Sequence, residues 1–76
     1  MSSKYAWTER NYGGSWSLSC ERGPYTARVW MIVAYGRTVF RWDVRDDRDT
    51  YAAAEERTVN GAKAAAEQRL WTLENR

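Results

Sequence analysis

From Ser15 to Val44 apolar and polar residues alternate with a period of two, in runs separated by short glycine-bearing stretches. Ser15 to Cys20 sets Trp16, Leu18 and Cys20 on one side and Ser15, Ser17 and Ser19 on the other, the signature of a half-buried strand. Glu21-Arg22-Gly23-Pro24 breaks the alternation as a turn, with Pro24 unable to donate to a ladder. The next run places Tyr25, Ala27, Val29, Met31 and Val33 on one side and Thr26, Arg28, Trp30 and Ile32 on the other. Beyond the Tyr35-Gly36-Arg37 turn, Phe40, Trp42 and Val44 share a side, opposite Val39, Arg41, Asp43 and Arg45. Connections this short predict antiparallel pairing of neighbours. The hairpin from Tyr25 to Val44 is the element around which the rest must be arranged.

The flanking segments are less regular. Residues 1–3 read as frayed, and Lys4 to Arg10 reads as a first strand or an extended arm, followed by a turn over Asn11-Tyr12-Gly13-Gly14. Arg45 to Thr50 is a charged connector in which Asp49 or Thr50 could cap a helix. Tyr51 to Arg57 is alanine-rich and favours helix, with Glu55 and Glu56 near the positive end of the dipole. Asn60-Gly61 is a soft spot, because glycine costs about 1 kcal/mol against alanine inside a helix. Two arrangements fit: a helix from about Thr50 with a weak point, or one that starts at Thr58 after an irregular lead-in. From Val59 onward Val59, Ala62, Ala66, Leu70 and Leu73 form a helical stripe, whose alanines let the backbone approach a sheet crowded with large rings. The fold class is therefore α+β. A three- or four-stranded antiparallel β-meander carries one C-terminal α-helix packed on one face, and residues 1–76 form a single domain.

Composition explains how so short a chain can hold a core. A domain of 76 residues buries only about 60% of its unfolded surface, so five Trp, five Tyr and one Phe must supply much of it. Ten of the twelve basic residues are Arg, a cation that forks carboxylates and stacks on rings as Lys does not. The net charge of +2 is too small to imply a polyanionic partner by itself. No apolar run is long enough to span a membrane, and the MSSKYAWTER start lacks the apolar centre of a signal peptide. A cytoplasmic location in the host cell is expected, with no membrane partner.

The chemical inventory is sparse. Histidine is absent, which removes the commonest general base and metal ligand. No phosphate-binding loop, dinucleotide fingerprint or nucleophile elbow is present. The single Cys20 cannot form an intramolecular disulfide and reads as a small core residue. Asp43, Asp46, Asp47 and Asp49 cluster, but Arg45 and Arg48 interleave and the closing glutamate of a calcium loop is missing, so the stretch reads as a solvated connector. The chain is expected to be no enzyme and to need no cofactor or metal.

Two constellations could bind a partner. By parity Arg28, Trp30, Arg41 and Arg45 share the sheet face opposite the helix, where an aromatic among arginines could serve as a protein-binding hot spot or stack a nucleobase beside its phosphate. A covering N-terminal arm, or a homodimer seam at Trp30, would account for the same residues without a partner of another kind. The second constellation is acidic: Asp46, Asp47 and Asp49, with Glu55 and Glu56.

The segments Trp16-Ser17-Leu18, Tyr25 to Val29, Phe40 to Val44 and Gly61 to Glu67 together resemble small phage and prophage proteins in which an aromatic-rich β-meander precedes one alanine-rich helix. Anti-CRISPR proteins are among phage proteins of this size and make-up. The resemblance covers roughly Trp16 to Leu73 and rests on apolar spacing. It implies a stoichiometric inhibitor that binds a host protein complex, a CRISPR effector in the anti-CRISPR case, and blocks its access to DNA or to its nuclease. It assigns no functional residue by position.

Overall fold

The computed structural model describes residues 5–76, so the expectation of fraying at residues 1–3, and Lys4 itself, lie outside the described residues. Five strands precede one helix: β1 (Thr8–Tyr12), β2 (Ser15–Arg22), β3 (Tyr25–Ala34), β4 (Arg37–Arg45), β5 (Thr50–Glu56) and α1 (Val59–Glu74). All neighbours pair antiparallel in the order β1-β2-β3-β4-β5, a meander with no crossover. The α+β architecture with the helix last is as the alternation predicts; the strand count is five rather than three or four.

The extra strand is the alanine-rich segment that favours helix by composition. Helix propensity is a weak prior, and a helix of about seven residues would be marginal on its own. Paired instead on β4, this segment satisfies the backbone groups of an otherwise open edge. Ala52 lies opposite Val44 and Ala54 opposite Trp42, so small side chains face the helix where an indole already fills the layer. Glu55 and Glu56 consequently sit on a strand, not on the first turn of a helix, and point to opposite faces. Neither Asp49 nor Thr50 caps a helix. That role belongs to Thr58, whose Oγ1 accepts from the Gly61 backbone N–H at 2.9 Å. A side chain at Gly61 would put its Cβ 3.0 Å from that oxygen, so the apparent soft spot is what lets the cap close.

The first strand is shifted along the chain from the expected Lys4–Arg10. Thr8 pairs with Ser19 and Tyr12 with Ser15, across a turn in which Gly13 and Gly14 both take positive φ. Residues 5–7 precede it and turn towards the helix: Tyr5 is buried in the core, and the Trp7 indole N–H donates to Glu67 on α1 at 2.7 Å.

The core lies between α1 and one sheet face. Ala27, Val29 and Val44 from the central strands meet Ala62, Ala66 and Leu70 from the helix, all fully buried. Trp42, Cys20, Tyr5 and Leu73 close its margins, and Trp16 packs edge-on against Phe40 at 6.1 Å between ring centres. Burial pushes the Cys20 thiol up from its ordinary value, as befits a small core residue that is not a reactive thiolate. An ion pair between Arg22 and Glu74 at 2.7 Å fixes the far end of the helix to β2.

Candidate functional site: the open face and the hairpin tip

Register places Ser17, Trp30, Arg41 and Glu55 in one row across the face away from the helix, with Ser19, Arg28, Asp43 and Ala53 in the next. Arg28, Trp30, Arg41 and Arg45 therefore share a face, as parity predicts. Residues 5–7, the described part of the arm ahead of β1, do not cover it. Tyr5 and Trp7 pack on the helix side, and among the described residues no segment crosses the open face.

Two of these three arginines, Arg28 and Arg41, are already matched by acids of the same sheet. Arg28 holds Asp43 with two bonds, Nε to Oδ1 at 3.2 Å and Nη2 to Oδ2 at 2.8 Å. Asp43 is only 7% exposed, and its pairing raises the Arg28 pKa above the ordinary guanidinium value. The same guanidinium lies 5.2 Å from the centre of the Trp30 ring, a cation–π arrangement that fixes both side chains. Arg41 donates to Glu55 at 3.0 Å. What remains is a near-neutral surface with a half-buried indole at its centre. Arg45 lies opposite Thr26 at the base of the hairpin and is exposed.

The acidic constellation does not form one surface. Asp46 is turned inward on its own loop: Oδ1 accepts the backbone N–H groups of Arg48 and Asp49 at 2.7 and 2.8 Å, and Oδ2 accepts the Tyr51 hydroxyl at 2.5 Å. The Tyr51 bond, aided by the two backbone donors, holds the Asp46 carboxyl down at about 2; the same bond raises the Tyr51 hydroxyl to about 12. Only Asp47 and Asp49 stay exposed there. Glu55 and Glu56 lie at the other end of β5 and on opposite faces, because a strand alternates.

Sequence reasoning missed the tip of the β3–β4 hairpin. β2 pairs with β3 up to Trp30, and β5 pairs with β4 from Phe40 onward. Residues 31–39 therefore extend past both neighbours as a two-stranded overhang with two free edges. Met31 and Val33 lie on the helix side by parity, yet they are 43% and 66% exposed, and Tyr35 is fully exposed. The turn itself is strained. Tyr35 has φ 55° and Gly36 φ 72°, the two positive values of a type I′ turn, whose first position favours Asn, Asp or Gly. A bulky side chain in that left-handed region costs about 1 kcal/mol. At the β1–β2 turn the same pair of conformations is taken by Gly13 and Gly14 without that cost. Beside the tip run two shallow grooves. One, of about 420 Å³, is lined by Arg37, Thr38, Val39 and Arg57; the other, of about 300 Å³, is lined by Ile32, Ala34, Tyr35, Arg37, Val39 and Glu55, whose carboxylate is held by Arg41. The signal was present in the run Met31 to Tyr35, apolar throughout, leading into a Tyr-Gly turn.

Compared with models of protein families, with characterised proteins and with solved structures, the chain matches none. Among the described residues no group of three or more His, Cys, Asp or Glu side chains could hold a metal ion, and no helix is long and apolar enough to cross a membrane.

Proposed function

We propose that this chain is a binding protein without chemistry of its own, which docks on a host protein complex through the open sheet face around Arg28, Trp30 and Arg41. The specific form implied by the phage-protein resemblance is an anti-CRISPR inhibitor whose target is a CRISPR effector complex. The observation that carries a protein partner over a nucleic acid is the internal pairing of the two arginines that flank Trp30, with Arg45 alone left exposed at the base. Arg28 is held by Asp43 and Arg41 by Glu55, so neither is at liberty to clamp a phosphate, and binding to a polyanion depends on such free cations. A neutral face centred on an indole suits a protein surface, where Trp and Arg concentrate binding energy.

The test is phage plating on hosts carrying defined CRISPR systems, with a tagged copy of the chain used to recover the effector complex. We expect restored plating and stoichiometric recovery of effector subunits, both lost in Trp30→Ala while the thermal transition is retained. Plating that stays blocked on every such host, with no effector subunit recovered, rejects the CRISPR target. Retention of both by Trp30→Ala rejects the face.

A further inference from the structure

We infer that the β3–β4 hairpin tip is a second docking element, with Tyr35 as an anchor for an apolar pocket rimmed by carboxylates on a partner protein. The inference rests on the reading of the chain as a protein-binding protein and adds a surface that the sequence did not single out.

Two independent observations point to the tip. The first is conformational. Tyr35 occupies a left-handed position that Asn would fill at lower cost, and it is fully exposed. It therefore contributes neither turn stability nor core packing, and its ring is useful only to something outside the fold. Backbone strain of this kind concentrates at sites that engage ligands. The second is the company it keeps. Among the described residues three of the four large exposed apolar side chains, Met31, Val33 and Tyr35, fall within this one overhang, on a segment whose outer edges carry unpaired backbone groups. Such edges and such patches mark protein contact surfaces.

The partner's charge follows from the neighbourhood. Arg37 and Arg57 line the groove beside Val39, and among the described residues neither forms an ion pair. The helix that starts at Val59 adds little to this field, because the Glu56 carboxylate lies against its first turn, with Oε1 3.7 Å from where a Cβ at Gly61 would sit; the positive charge here is that of Arg37 and Arg57. A cationic rim around an aromatic and aliphatic tip complements an apolar pocket edged by Asp and Glu. A nucleic acid would meet the cations but leave Met31 and Val33 with nothing to bury against.

The experiment replaces single residues with the photo-cross-linker benzoylphenylalanine in the full chain, at position 35 on the tip and at position 45 on the open face, and irradiates host cells that express it. We expect a discrete protein adduct from position 35. Competing wild-type chain should remove it, and the paired charge reversal Arg37→Glu with Arg57→Glu should weaken it by at least about tenfold. An adduct at 45 without one at 35 overturns the tip and leaves the open-face reading standing; an adduct at 35 without one at 45 does the reverse. Absence of both overturns both, and an adduct removed by nuclease, or one indifferent to charge reversal, overturns the tip. The Tyr35→Asn variant separates function from folding. It should fold with a Tm raised by roughly 4 °C and compete at least about tenfold less well than wild type. A lowered Tm would make Tyr35 a structural residue and end the proposal.

Discussion

The two ends of the β3–β4 hairpin are built from the same alternation and have opposite fates. At the base, Ala27, Val29, Trp42 and Val44 lie under the helix and are buried. At the tip, Met31 and Val33 continue the same side of the same strand, yet they face solvent. Nothing in the side chains distinguishes Val29 from Val33. The difference is the surroundings: the base packs under α1, while pairing with β2 and β5 stops near Trp30 and Phe40, and burial is lost beyond them. An apolar residue becomes core only where another element arrives to cover it, and a run that outlasts its cover becomes a contact surface.

The largest effect expected from this contrast comes from the cover itself. Leu70 is a fully buried side chain on α1. Leu70→Ala should cost about 3 kcal/mol, a large share of the stability of so small a domain, read as a drop in the midpoint of urea unfolding. A loss below about 1 kcal/mol would mean that the helix is a loose lid and not the cover of the base.

The sharpest comparison is between the two valines. Val29→Ala should destabilise by about 2 kcal/mol, because it deletes packing from a closed layer. Val33→Ala should stay within about 0.5 kcal/mol of wild type, since its side chain is 66% exposed. Equal losses at the two positions would erase the distinction between base and tip.

The alternation made the hairpin, the two faces and the helical stripe legible, because a period of two or of 3.6 is a local property of the chain. Trp30 and Arg41 were placed on one face by counting alone. What escaped was set by distant partners. The segment Tyr51 to Glu56 reads as helix by composition and becomes β5 because β4 offers it an edge. The clamps from Trp7 to Glu67 and from Arg22 to Glu74 join positions that no window of sequence brings together. The pairing of Arg28 with Asp43 and of Arg41 with Glu55 depends on register, which parity does not fix, and it turned an apparent cationic face into a near-neutral one. At the tip the residues were in plain view, but the strain on Tyr35 resides in φ, and the exposure of Val33 depends on where two neighbouring strands end.

The smallest expected effect lies at the opposite end of the sheet from the tip, in the connector between β4 and β5. This turn is held by side-chain bonds where the tip is not. Asp46 is kept ionised down to about 2, chiefly by the Tyr51 hydroxyl, below its ordinary value near 3.9 in an unfolded chain. A depressed carboxyl contributes stability that is fully present above the unfolded value and is lost as pH falls through the folded one. Stability should therefore decline between about pH 4 and pH 2, and Asp46→Asn should flatten that part of the profile, followed by urea midpoints across the acid range. Tyr51→Phe removes the main cause of the shift, so the decline should begin at the same pH, finish at a higher pH and be smaller. The Tyr51 hydroxyl gives the reverse limb. Its folded value of about 12 lies above the unfolded value near 10, so the stability it contributes is present below pH 10 and lost towards pH 12. The tip has no such bonds, and Tyr35→Asn should leave both limbs unmoved while raising the whole curve. An acid limb that Asp46→Asn leaves unchanged would place the titrating group elsewhere and remove the contrast between a turn tied by its own side chains and a turn held open for a partner.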